Sequence, residues 1–349
     1  MKLLAPVLLG GLLLSAQTPY DDGLRQYQAG RPGEAIGPLR QALKANPALT
    51  SARLLLGASL AETGRCQEAL DLLKGSGNAN FEAGTKRSIG FARVRCAMSL
   101  NRVDEASDAM RTLSAQFPRD PDVLFLAVHV YSDLSIRASQ TLLYTAPGSY
   151  QVRQLNAEAL ETQGKWTEAA EEYRLVLTQN PRLPGIHYRL GRLILSQPKT
   201  DTTMEDARRE FEAELHINPN NAGAHYILGE IARQADQWPQ AVEHFGAAAK
   251  LDAGFADAFI GLGRSLMSTG KIAEAIPPLE TATKLQPPNP VPHYYLAIAY
   301  RRSGRKAEAD REAALHKQAN ERVRQTQQEI QLSILGPQRV DLKEQERTP

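Results

Sequence analysis

A chain of 349 residues is too long for one small domain and fits either two compact domains or one elongated array. Its 41 basic and 39 acidic side chains nearly cancel to a formal net charge of +2, so no overall field draws it onto nucleic acid or an anionic membrane. Hydrophobic residues make up 42% of the chain but aromatics only 6%, and the dominance of alanine and leucine favours closely packed helices over strands.

The chain begins MKLLAPVLLGGLLLSA: one positive charge at Lys2, apolar and small residues from Leu3 to Leu14, then Ser15 and Ala16. That order predicts a secretory signal peptide over residues 1–16, cleaved near Ala16. The apolar run is about half of the roughly 20 residues that a membrane-spanning helix needs. No cysteine follows Ala16, so the lipid-attachment signal of bacterial lipoproteins is missing. No later run approaches spanning length, so the mature chain is expected to have no membrane span and to be secreted or periplasmic.

Beyond the leader the chain repeats itself. Residues Ala222 to Phe255 align without a gap on Ala256 to Asn289, placing Leu228 and Gly229 on Leu262 and Gly263, Ala241 on Ala275, Phe245 on Leu279 and Ala248 on Ala282. Taken in chain order, units of the same kind run from about Ala16 to Leu49 (Gly30, Ala35), Thr50 to about Ser76 (Gly57, Gly64, Ala69) and Arg87 to Asp120 (Ala106, Pro118). After a weak period from Pro121 to about Ser149, which keeps only a first helix, come Tyr150 to Leu183 (Gly164, Ala169, Tyr173, Pro181) and Pro184 to Asn221 (Gly191, Ala207, Phe211, Pro219). The last unit starts at Pro290 and carries Leu296, Ala297, Gly304 and Ala309.

Small residues such as Gly229 and Ala241 lie where two helices approach closely, and Leu228 and Phe245 fill the space between them. Pro181, Pro219 and Pro287 each close a second helix, because proline lacks the backbone donor and disfavours helix in the residue before it. One unit cannot bury its apolar face alone, so neighbours must stack. Two departures stand out. SQPKTDTTM, from Ser196 to Met204, holds roughly four extra residues, and GSGNANFEAG, from Gly75 to Gly84, replaces the end of a second helix with a loop.

These residues and their period of about 34 resemble the tetratricopeptide repeat, a helix-turn-helix unit. The resemblance implies an all-α, right-handed superhelical solenoid of about nine units over residues 17–331, best matched over 150–313. A long charged capping helix follows Arg305, and a polar tail at 332–349 is expected to be disordered.

The search for chemistry returns near misses. GRSLMSTGKI, from Gly263 to Ile272, lacks the first glycine and the hydroxyl residue of a phosphate loop and sits inside a well-matched unit. There is no HExxH, no paired CxxC and no nucleophile elbow. The recurring pairs His187-Tyr188, His225-Tyr226 and His293-Tyr294 would lie about 10 Å apart from unit to unit, too far to share a metal, so these histidines are expected to pack at the start of each first helix. No enzyme activity, cofactor or metal is expected. For Cys66 and Cys96 two readings stand: a disulfide in an oxidising compartment, or two buried thiols.

In the family, first helices line a concave groove. By alignment the resemblance places Phe91, Phe125, Tyr188, Tyr226, Ile260 and Tyr294 in one row. Arg95, His129, Glu158, Arg192, Glu230 and Arg264 stand one turn on, with Arg233, Arg301 and Arg302 nearby. Aromatics and arginine are enriched at interface hot spots. The expected partner is therefore a protein: a peptide or helix held by a non-enzymatic scaffold in the cell envelope or secreted space, not nucleic acid. The alternative is a chaperone-like carrier of exported polypeptides or polysaccharide.

Overall fold

A computed structural model describes residues 18–74, 81–198 and 200–335. The expected leader at 1–16, residues 75–80 of the expected loop and the expected tail from 336 onward lie outside the described residues. Among the described residues there are seventeen α-helices and no strand. They form an all-α repeat solenoid whose chain divides into two compact units, Met1–Thr145 and Ala146–Pro349.

The first unit holds α1 (Pro19–Gln28), α2 (Pro32–Ala45), α3 (Thr50–Glu62), α4 (Cys66–Leu73), α5 (Ala83–Ser99), α6 (Val103–Gln116) and α7 (Pro121–Thr145). The second holds α8 (Tyr150–Thr162), α9 (Trp166–Gln179), α10 (Ile186–Ser196), α11 (Thr203–Ile217), α12 (Ala222–Gln234) and α13 (Trp238–Leu251). It continues with α14 (Ala256–Ser268), α15 (Ile272–Leu285), α16 (Pro290–Arg302) and α17 (Lys306–Leu335). Except for α7, the helices pair in sequence as hairpins, a first helix packing on the second helix that follows it.

The hairpins share one packing rule. Ala35, Ala69, Ala106, Ala169, Ala207, Ala241, Ala275 and Ala309 occupy the same place in eight second helices, and each is 0% exposed. One turn later Leu39, Leu73, Met110, Tyr173, Phe211, Phe245 and Leu279 are equally buried. Across from them the first helix must be bare: a Cβ on Gly229 would come within 2.8 Å of the Phe245 ring, and one on Gly263 within 2.5 Å of Leu279. The turn between the paired helices needs a left-handed residue. Glycine supplies it at Gly30, Gly64, Gly164, Gly270 and Gly304, whereas Asn101 and Asp236 adopt φ of 57° and 55° in the equivalent turns.

The chain of α7 explains its difference. Between Asp122 and Ala146 there is no glycine or proline, and Asp133, instead of making the turn as Asp236 does, pairs with Arg137 one helical turn on at 2.6 Å, so the helix runs on for 25 residues until Pro147-Gly148. With no second helix to cover it, α7 leaves Leu124, Phe125, Val128, Tyr131, Ile136 and Tyr144 exposed. At the other end, α17 continues through Leu335, so residues 332–335, expected in the tail, are helical; the first breaker is Gly336-Pro337.

Candidate functional site

In the first unit the end of α3, the length of α5 and the start of α7 enclose a cleft of about 830 Å³. Phe91, Arg95, Phe125 and His129, the four residues selected from this part of the sequence, all line it. Phe91 and Arg95 stand one turn apart on α5, Phe125 and His129 one turn apart on α7, so each helix presents an aromatic ring followed by a nitrogen base. The Arg95 guanidinium lies 5.6 Å from the Phe91 ring centroid, within cation–π range. The His129 ring meets Phe125 edge-on at 4.4 Å. Phe125 is 68% exposed.

Charges in this cleft are unevenly satisfied. Arg87, its guanidinium 5.5 Å from the Phe91 ring centroid, is bound to Asp120 at 3.1 Å and to Asp122, tying α5 to the entry of α7. Glu62 accepts a hydrogen bond from the Tyr27 hydroxyl at 2.8 Å. Burial, and then that carboxylate, push the Tyr27 phenol far above its ordinary range, so it stays a donor. Arg95 has no carboxylate within 4.0 Å among the described residues, and is the one cleft arginine without an acidic partner.

One wall of the cleft is covalent. Cys66, the first residue of α4, and Cys96, in the last turn of α5, form a disulfide with Cα atoms 4.9 Å apart at a sequence separation of 30. Closing a loop of that length stabilises by about 3–4 kcal/mol in the chain-entropy account.

The second unit treats its predicted residues differently, because neighbouring side chains occupy them. Tyr226 on α12 packs between Phe245 at 5.7 Å and Phe255 at 4.8 Å. Burial, and next Glu230, raise its phenol pKa. Glu230 and Arg233 form an ion pair at 2.8 Å. Tyr188 lies 5.7 Å from Phe211, with Arg192 at 6.0 Å over its outer face. Arg264 stacks at 4.9 Å on Tyr295, the neighbour in sequence of the expected groove residue Tyr294. Tyr294 is 47% exposed and turns instead toward His316 of α17 at 5.4 Å. Arg301 is paired with Asp310, and Arg302 is exposed.

Ile260 is a correction. It is only 6% exposed, so the second unit's row is interrupted at α14, where the small and apolar first helix buries this position instead of presenting it.

The recurring histidines meet second helices, as packing at a helix start requires. His187 pairs with Glu210 at 2.7 Å and His293 with Glu312 at 2.6 Å, while His225, at the equivalent place, meets His244 at 3.2 Å. The Pro219 and Pro287 carbonyls hold the far ring nitrogens of His225 and His293. Burial, and next His225, lower the His244 pKa from its ordinary 6.5. Among the described residues no group of three His, Cys, Asp or Glu is arranged to hold a metal ion.

Sequence reasoning passed over Glu214. It is 0% exposed, accepts the Gly185 backbone N–H through both oxygens at 2.9 and 2.8 Å, and takes the Asn221 amide at 3.1 Å. Its signal was available: Glu214 stands where neighbouring units have Ala248 and Ala282. A carboxylate in a small-residue slot has to be satisfied by polar partners.

No helix among the described residues is long and apolar enough to cross a membrane. No curated protein matches the chain. Among solved structures, the chain is similar to the crystal structure of MamA, with a TM-score of 0.43, 22% identity, and coverage of 48% of this chain and 96% of that one. It is also similar to YrrB, a TPR protein with an unusual peptide-binding site, at a TM-score of 0.46 and 17% identity over 52% of this chain and 92% of that one. MamA from Desulfovibrio magneticus RS-1 matches at 0.43 and 17% identity, over 49% and 95% of the two chains. A tetratricopeptide-repeat family model matches residues 20–82, 204–256, 232–290 and 260–319, just over half of the sequence, and the chain belongs to the tetratricopeptide repeat family.

Proposed function

We propose that this protein is a non-enzymatic scaffold outside the cytoplasm, and that it grips a protein partner through its first helices, chiefly at the first-unit cleft. The observation that carries the reading is the paired presentation of Phe91 and Arg95 on α5 with Phe125 and His129 on α7, around one cleft. Exposed aromatics beside arginine are the side chains that contribute most at protein interfaces. The leader sequence and the Cys66–Cys96 bond support an oxidising compartment, where disulfides persist. A scaffold rather than an enzyme fits a chain whose repeat positions are committed to packing hairpins together.

The exposed apolar residues of α7 favour a second reading, a carrier that transiently holds exported polypeptides. Purification from the native cell separates the two. A defined stoichiometric partner, lost in a folded Phe91→Leu, Phe125→Ala double variant, supports the scaffold. A heterogeneous set of clients supports the carrier. A partner retained by that variant but lost with Tyr226→Ala and Arg264→Ala would move the grip to the second unit.

A further inference from the structure

We propose that the first-unit cleft recognises an extended acidic peptide segment of the form apolar-x-acidic. Its carboxylate would meet Arg95, and its apolar or aromatic side chain would lie against Phe91 and Phe125. The inference rests on the reading that this cleft is the partner site, and adds the chemistry of what enters it.

Charge complementarity selects the carboxylate. Of the two arginines on this face of α5, Arg87 is already neutralised by Asp120 and Asp122, whereas Arg95 has no acidic partner among the described residues. The one carboxylate on the α3 side, Glu62, is engaged by the Tyr27 hydroxyl. The cleft therefore keeps an unmatched cation, with the imidazole of His129 on the facing helix as a further hydrogen-bonding group. A guanidinium held over an aromatic face is pre-oriented, so it loses little freedom when it takes a carboxylate in its fork.

Shape selects the neighbouring side chain. Phe91 and Phe125 bring apolar surface without any hydroxyl, and Phe125 is 68% exposed, so an apolar group gains by covering it. Spacing sets the register. Phe91 and Arg95 are one helical turn apart, about 6 Å along the axis. In an extended peptide, side chains on one face recur every two residues, about 6.5 Å apart. An apolar residue and a carboxylate separated by one residue match that interval. In the second unit Glu230 neutralises Arg233, and Arg192 and Arg264, which like Arg95 have no carboxylate partner among the described residues, lie over the hydroxyl-bearing rings of Tyr188 and Tyr295, with no second phenylalanine beside them as Phe125 stands beside Phe91.

The test uses the full oxidised chain and unlabelled, end-capped peptides in isothermal titration. The probe carries Phe-Ala-Glu in a glycine-serine background, and its controls carry Phe-Ala-Gln and Ala-Ala-Glu. The Phe-Ala-Glu peptide should bind about tenfold more tightly than either control, the loss expected when one charge-assisted contact or one buried ring is removed. Arg95→Gln should erase the Glu-over-Gln preference while leaving the Phe-over-Ala preference. Phe125→Ala, at a surface position that the fold does not need, should do the reverse.

Equal affinity for the Glu and Gln peptides, or a preference that survives Arg95→Gln, would overturn the proposal. So would Arg95-dependent binding of an acidic polysaccharide such as alginate with no binding of the peptide. A native partner that still depends on Phe91 and Phe125 while the peptides fail to discriminate would leave the scaffold standing and sink only the acidic motif.

Discussion

In the second unit every first helix, from α8 to α16, lies against a second helix of its own, whereas the first unit ends in α7, which has none. The contrast extends to the surface. Where the repeat is regular, its aromatics and charges satisfy one another: Tyr226 between two phenylalanines, Glu230 on Arg233, Arg264 on Tyr295. Where the period breaks, Phe125 remains 68% exposed beside Arg95, which like Arg192 and Arg264 has no acidic partner among the described residues. The grip proposed here therefore lies beside the interruption of the repeat, at α5 and α7, and not in its best-matched stretch.

Core truncation probes the regular side of that contrast and should have the largest effect. Phe245 is fully buried and faces both Gly229 and Gly261, so Phe245→Ala should cost about 3–5 kcal/mol, read by denaturant unfolding. Because solenoid hairpins rely on nearest neighbours, hydrogen exchange should rise first in α12 to α14. An equal rise in α5 and α6 would break the distinction between the units.

The first unit depends instead on its covalent tie. Cys66→Ser with Cys96→Ser should remove about 3–4 kcal/mol from it. Calorimetry should show the loss confined to residues 18–145, with the second unit melting as before. Reduction of the unaltered protein should reproduce it, and an unchanged melt would show that the bond adds nothing to the packed hairpins.

Acidity should act on the second unit, with a smaller effect. His244 is depressed below 6.5 by burial and by His225, so the unfolded chain binds the proton more readily than the fold does. Stability from this group is present above about pH 6.5 and falls as the pH drops below that value. Loosening of α12 and α13 should follow, measured by hydrogen exchange at pH 5 and pH 7.5. His244→Glu installs the carboxylate that faces His187 and His293 in other units, and should abolish this response.

Asp236→Gly is the smallest expected effect. It relieves a left-handed aspartate, at a φ of 55°, in a turn where five other units use glycine. It should raise the second unit's stability by up to about 1 kcal/mol. Asn101→Gly should give no such gain, because the Asn101 side chain also accepts a hydrogen bond from Arg137 at 2.7 Å.

Much of this architecture was legible in the amino acids. The buried alanines, the bare glycines opposite Phe245 and Leu279, and the prolines after α9, α11 and α15 each follow from a local steric demand, so their spacing revealed the hairpins. At Pro121 the loss of the consensus after a first helix was readable, but not the unbroken 25-residue α7, because Asp133, of the residue type that makes the turn at Asp236, stands in the middle of it. Partnerships were harder to read. Alignment placed Ile260 and Tyr294 in one row, but which side chain turns outward depends on the packing of neighbouring helices. Ile260 was buried and Tyr295 took Arg264. Pairs that span a hairpin, such as His225 with His244 or Glu214 with Gly185, emerge only when both helices are in place.

The central claim is that the partner sits in the first-unit cleft. A photoreactive benzoyl-phenylalanine placed at position 125, and in a separate variant at position 294, tests it directly in native cells. Both positions carry exposed aromatics, at 68% and 47%, so exposure alone predicts comparable yields. The account predicts one defined adduct from position 125, displaced by excess Phe-Ala-Glu peptide, and little from position 294. A defined adduct from 294 with none from 125 would contradict it.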